Sequence, residues 1–123
     1  MSFDVHIYTY NGDGASSVVY HIHGYNYNSA GWHNNECRAY SEGIGAFANL
    51  TVRFGKDSDT TTCVVIGDVG ENGTEWSYPQ VAISNVHLGF KKADFATWGT
   101  GWSISFITTL PSSINGTHTN VNT

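Results

Sequence analysis

The sequence predicts an all-β protein, an antiparallel β-sandwich of six or more short strands with little or no helix. Three observations carry that expectation. Apolar and polar residues alternate in several short runs, no window sustains a helical period, and glycine (14 residues) far outnumbers proline (2) and punctuates the runs. At 123 residues the chain has room for one modest core. The expected organisation is a single domain over residues 1–110 followed by a polar tail over 111–123.

In Phe3–Tyr10, Phe3, Val5 and Ile7 point one way while Asp4, His6, Tyr8 and Tyr10 point the other. The turn NGDGAS leads into Ser17–His23, with Val18, Tyr20 and Ile22 on one face. Matching the two apolar triads around a turn centred between Asp13 and Gly14 sets His6 opposite His21 and Asp4 opposite His23. A weaker strand lies between Arg38 and Phe47, and another spans Leu50–Phe54. Thr60–Gly67 carries Val64, Val65 and Ile66 consecutively and is expected to be the most buried strand. In Val81–Phe90 the apolar phase slips, as a bulge at Ser84–Asn85 would make it. The last strand is Trp102–Leu110, where Trp102, Ile104 and Phe106 alternate with Ser103 and Ser105. The tail after Pro111 is low in hydrophobicity and is expected to fray.

Composition excludes several functions. A net charge of −5 with five Lys plus Arg leaves no basic cluster for phosphates, so no nucleic-acid partner is expected. The start, MSFDVHIYTY, has neither the basic nor the apolar region of a secretory signal, and no apolar run reaches membrane-spanning length. The expected location is cytoplasmic, or outside the cell by release without a signal, or secreted if the chain is a processed form. Cys37 and Cys63 are expected to be reduced thiols. The sequons at Asn49, Asn72 and Asn115 read as chance in a chain rich in Asn and Thr.

The stretch YHIHGYNYNSAGWHNNE (residues 20–36) carries two chemistries. In the hairpin register above, His6, His21, His23 and Asp4 gather three imidazoles and a carboxylate, a plausible set for Zn²⁺, Cu²⁺ or Ni²⁺. The competing reading is that these residues fill the polar face of a half-solvated sheet. No glutamate follows His-x-His at metal-site spacing, and no G-x-S-x-G nucleophile motif occurs. No catalytic residue or cofactor is therefore assigned, and the chain is expected not to be an enzyme, a His-metal-dependent enzyme being the lesser alternative.

The second chemistry is neutral-ligand recognition. Sugars offer a polar rim and an apolar C–H face, so their sites combine stacking aromatics with neutral amides and a carboxylate. Tyr25, Tyr27, Trp32, Asn34 and Asn35 supply these in one loop. GDVGENGTEWS repeats the ingredients with Asp68, Asn72 and Trp76. Against this, Trp32 and Trp76 can cap the core while the amides make Asx-turns. A third cluster, FKKADFATWGTGWS, leaves Phe95 and Trp98 as candidates for a membrane contact or a subunit interface.

The order of these features resembles that of the fungal fruit-body lectins, which share an actinoporin-like β-sandwich. The matching pieces are MSFDVHIYTYN, YHIHGYNYNSAGW, SEGIGAFANLTVRF and VVIGDVGENGTEW, across the first two-thirds of the chain. The resemblance implies a homo-oligomeric lectin that binds galactose- or N-acetylhexosamine-containing glycans. It also keeps a membrane-active, cytolysin-like alternative. The turn from Gly43 to Gly45 and the loop from Asp68 to Trp76 lie where that family's sugar contacts fall.

Overall fold

A computed structural model describes residues 1–11, 14–27, 31–33, 36–56, 62–89 and 102–110 of the chain. Its strands are β1 (Ser2–Asn11), β2 (Gly14–His23), β3 (Asn26–Tyr27), β4 (Gly31–Trp32), β5 (Arg38–Ile44), β6 (Val52–Lys56), β7 (Thr62–Ile66) and β8 (Gln80–His87). Every pairing among the described residues is antiparallel. Four strands form one sheet in the order β5-β2-β1-β8, and β3–β4 and β6–β7 form two-stranded sheets. Among the described residues the helical elements are short 3₁₀ turns, including Ala46–Asn49 and Glu71–Gly73. The expected all-β class with little helix is what the chain adopts.

Period-two alternation builds the core. Phe3, Val5 and Ile7 of β1, Val18, Tyr20 and Ile22 of β2, and Ala39 of β5 turn inward from the four-stranded sheet. Phe47, Ala48 and Leu50 join them from the 3₁₀ turn and the residues after it, and Val52 and Phe54 from β6. Each large side chain removed from water here contributes about 1.5–3 kcal/mol. The outward positions carry polar and aromatic groups, so one face is apolar and the other is wet.

The hairpin register differs from the expected one. Asn11 pairs with Gly14, so each β1 residue faces a partner two positions earlier than the sequence reading placed it. Phe3 lies opposite Ile22, Val5 opposite Tyr20 and Ile7 opposite Val18, which matches the apolar triads side by side. Asp4 therefore faces His21, while His6 faces Val19 and His23 faces Ser2. The shift is even, so every residue keeps its expected face. The bulge in β8 is present: Ser2 pairs with His87 and Asp4 with Ser84, leaving Asn85 and Val86 opposite Phe3, and Asn85 takes a φ of 52°.

Two other strand expectations are corrected. β7 is only half-buried along its length, and among the described residues it pairs with β6 alone, in a two-stranded sheet. The buried partner is β6, with Val52 and Phe54 fully covered. Residues 102–110 are not a strand; they take part in no ladder, and Trp102, Ile104, Phe106 and Ile107 are exposed. Trp102 meets the core edge-to-face at Phe3, at 5.5 Å between ring centroids. Phe95, Trp98 and the tail over 111–123 lie outside the described residues.

Candidate functional site

The loop residues singled out by sequence divide once placed. Trp32 is buried, only 8 % exposed, and its ring meets Phe54 edge-to-face at 5.3 Å. Gly24 makes room for it: a Cβ at that position would stand 2.8 Å from the Trp32 ring. The expectation that Trp32 stacks on a ligand is thus overturned, since its apolar surface is already spent on the core. Trp76 is half-buried against Phe47, with centroids 4.7 Å apart and planes at 89°. Tyr25 remains exposed, edge-to-face with His33 at 5.1 Å. Tyr27 lies in β3, and its side chain, like Asn34 and Asn35, is outside the described residues.

Asp68, Glu71 and Asn72 are tied back to their own fold. Asn72 Nδ2 donates to the Asn49 carbonyl at 3.0 Å, and Asp68 Oδ1 accepts from the Val69 amide at 2.7 Å. Asp68 also stands 3.8 Å from Arg53. Glu71 accepts from both the amide and the hydroxyl of Thr51, at 2.7 and 2.6 Å. Gly43 is a β5 residue opposite Val18, so its backbone belongs to the sheet.

The outer face of the four-stranded sheet presents what the loops do not. Combined registers arrange it in rows across the strands: Tyr40, His21, Asp4, Ser84; then Glu42, Val19, His6, Ala82; then Ile44, Ser17, Tyr8, Gln80. Small side chains at Ser17, Val19 and Ala82 leave a shallow concavity of about 240 Å³, walled by His6, Tyr8 and Gln80. Tyr8, Tyr10 and Tyr40 are all exposed on this face. Sequence reasoning had treated Tyr8 and Tyr10 as the polar side of β1 and missed Tyr40, Ser17 and Gln80. The readable signal is that Tyr8 and Tyr10 recur at period two on one face of β1, which puts exposed aromatic surface there.

A hydrogen-bonded chain stiffens one end of that face. Asn85 Nδ2 donates to Asp4 Oδ2 at 2.7 Å, and His21 Nδ1–H donates to Asp4 Oδ1 at 2.7 Å. The Asn85 bond, and then His21, hold the Asp4 carboxyl below its ordinary 3.8, against partial burial that pushes it up. The Tyr40 ring stacks on His21 at 4.6 Å and 25°. His21 Nε2 points towards Glu42 Oε2 at 3.7 Å, and His6 Nε2 shares a 2.7 Å hydrogen bond with Ser84 Oγ.

The four candidate metal ligands do not converge. His6 engages Ser84, His23 pairs with Ser2 at the sheet's end, and only His21 and Asp4 meet, through a hydrogen bond. Among the described residues no three His, Cys, Asp or Glu side chains come together as a metal-binding group. The face offers donors, acceptors and aromatic surface instead. No family model, curated protein or solved structure matches the chain.

Proposed function

We propose that this protein binds neutral carbohydrate without catalysis, through the outer face of the β5-β2-β1-β8 sheet as one layer of a β-sandwich. The observation that supports this best is the shallow, open concavity beside Tyr8, lined by His6, Ser17 and Gln80, with Tyr10 and Tyr40 exposed nearby. A sugar ring needs an aromatic surface for its C–H face and uncharged donors and acceptors for its hydroxyls. Tyr8 supplies the first; Gln80, Ser17 and His6 supply the second. A net charge of −5 disfavours phosphorylated or sulfated ligands. A site this shallow binds weakly, so assembly of copies would raise avidity. Tyr25 with His33 is a secondary contact candidate.

A glycan array with galactose- and N-acetylhexosamine-terminated ligands tests the reading, alongside haemagglutination. Binding is expected on at least one neutral glycan, and Tyr8→Ala should weaken it about fivefold or more with the melting temperature unchanged. Silence across the array and no agglutination would sink the proposal. Binding that survives Tyr8→Ala and is lost in Tyr25→Ala would move the site to the loop. A membrane-active function is the second reading, favoured by the exposed apolar side chains in 102–110. A tryptophan emission blue shift with glycolipid-free vesicles would support it.

A further inference from the structure

Among the described residues, two features of the fold stand without a ladder partner, and they match each other. The first is the segment over residues 102–110, WSISFITTL. It has the period-two pattern of a half-buried strand and carries no charge. Yet it joins no ladder, and Phe106 is 63 % exposed beside exposed Ile104 and Ile107. The second is β8. It stands at the edge of the four-stranded sheet, pairing with β1 on one side only among the described residues. Edge strands are normally guarded by charged side chains, proline or distortion. β5, at the opposite edge, has Arg38, Glu42 and the Gly43 kink, and β6 has Arg53 and Lys56. β8, QVAISNVH, has no Asp, Glu, Lys or Arg, and only its C-terminal bulge interrupts it. Its inward residues Val81 and Ile83 are only partly covered, so the apolar layer is unfinished at that edge.

From this we infer that two copies of the chain associate by strand exchange, the 102–110 segment of each adding to the β8 edge of the other. Trp102, Ile104 and Phe106 would extend the apolar layer past Val81 and Ile83, and the open backbone groups of β8 would gain partners. The contact is reciprocal, so it closes as a two-fold dimer rather than growing. A lipid surface covers the apolar side chains but offers no partner to an extended backbone, whose N–H and C=O groups would stay unsatisfied in hydrocarbon. Of the chain's own longer strands that are uncharged and paired on one side among the described residues, β7 and β8, it is β8 whose end lies next to Trp102, so β8 is the occupant assigned. Trp102 already stands beside Phe3, next to the end of β8, yet the segment forms no ladder there. The inference does not depend on the carbohydrate reading.

Light scattering after size exclusion, on the full chain at tens of micromolar, should give a dimer. Ile104→Pro removes a ladder N–H from the segment, and Ala82→Lys puts a charge on the edge. Each variant alone should raise the dimer dissociation constant about tenfold or more. Their circular dichroism should match the wild type, which shows that both still fold. A monomeric wild type overturns the inference. If that monomer floats with phosphatidylcholine vesicles, lipid is the occupant; if its amides at 103–107 exchange slowly, its own edge is. A dimer that both variants leave intact overturns it equally.

Discussion

The Tyr20 hydroxyl donates to the Phe47 carbonyl at 2.5 Å and accepts from the Leu50 amide at 2.8 Å, with the side chain fully buried. It thus satisfies both backbone groups where the chain leaves the 3₁₀ turn for β6. Removing the hydroxyl strands a buried N–H, which costs about 1–3 kcal/mol. Tyr20→Phe should therefore lower the melting temperature by about 8 °C at neutral pH. Burial pushes the Tyr20 phenol up to about 12 from an ordinary 10.0. A raised value means that the folded state holds its proton after the unfolded state has lost it. The contribution is complete below pH 10.0 and falls away as the pH rises towards 12. Equilibrium unfolding at pH 8 and pH 11 should show wild-type stability converging on that of Tyr20→Phe; a constant gap would contradict this origin. Nothing in the sequence announced the role. Alternation places Tyr20 on the inner face, but its two partners lie 27 and 30 residues away and are brought near only by folding.

Elements were legible to the extent that their pattern and neighbours agreed. β1 and β2 show clean alternation, and each finds the other across a short connection, so faces and pairing were both readable. The register was not, because two candidate turn centres keep the same faces and only the side-by-side fit of the triads separates them. The β8 bulge was visible as a slip in apolar phase. Residues 102–110 have the pattern but no neighbour, and pattern alone does not make a ladder. Gly43 marks a further limit. Its φ is 139°, and an added Cβ would stand 2.4 Å from the Ser17 carbonyl oxygen and 2.8 Å from Val18. The close approach of β5 to β2 is by itself enough to require glycine there. Gly43→Ala should cost about 2 kcal/mol or more, read in a denaturant melt, because backbone atoms cannot give way as a side chain can. A neutral substitution would show that β5 can shift away from β2.

At the scale of the whole molecule, the two cysteines report how continuous the core is. Neither is disulfide-bonded. Cys37 precedes β5, buried beneath the same layer that holds Trp32, and its Sγ donates to the His33 carbonyl at 3.1 Å. Burial pushes its thiol up, so little thiolate forms even where reagent reaches it. Cys63 lies on half-buried β7, outside the shared core. The inner face of the four-stranded sheet, the 3₁₀ turn and β6 share one cluster of buried side chains, so opening any of them should expose Cys37 along with the rest. A thiol reagent at neutral pH should label Cys63 readily in the native protein. Cys37 should react only at the rate of global unfolding, tracking the melting curve as temperature rises, and a reductant should leave the melting temperature unchanged. If Cys37 reacts well below the melt, the Cys37–Trp32 end opens as a separate unit. Tyr25 and His33 would then sit on a mobile loop, and the rigid sheet face would be left as the better-preorganised place for a weak ligand to dock.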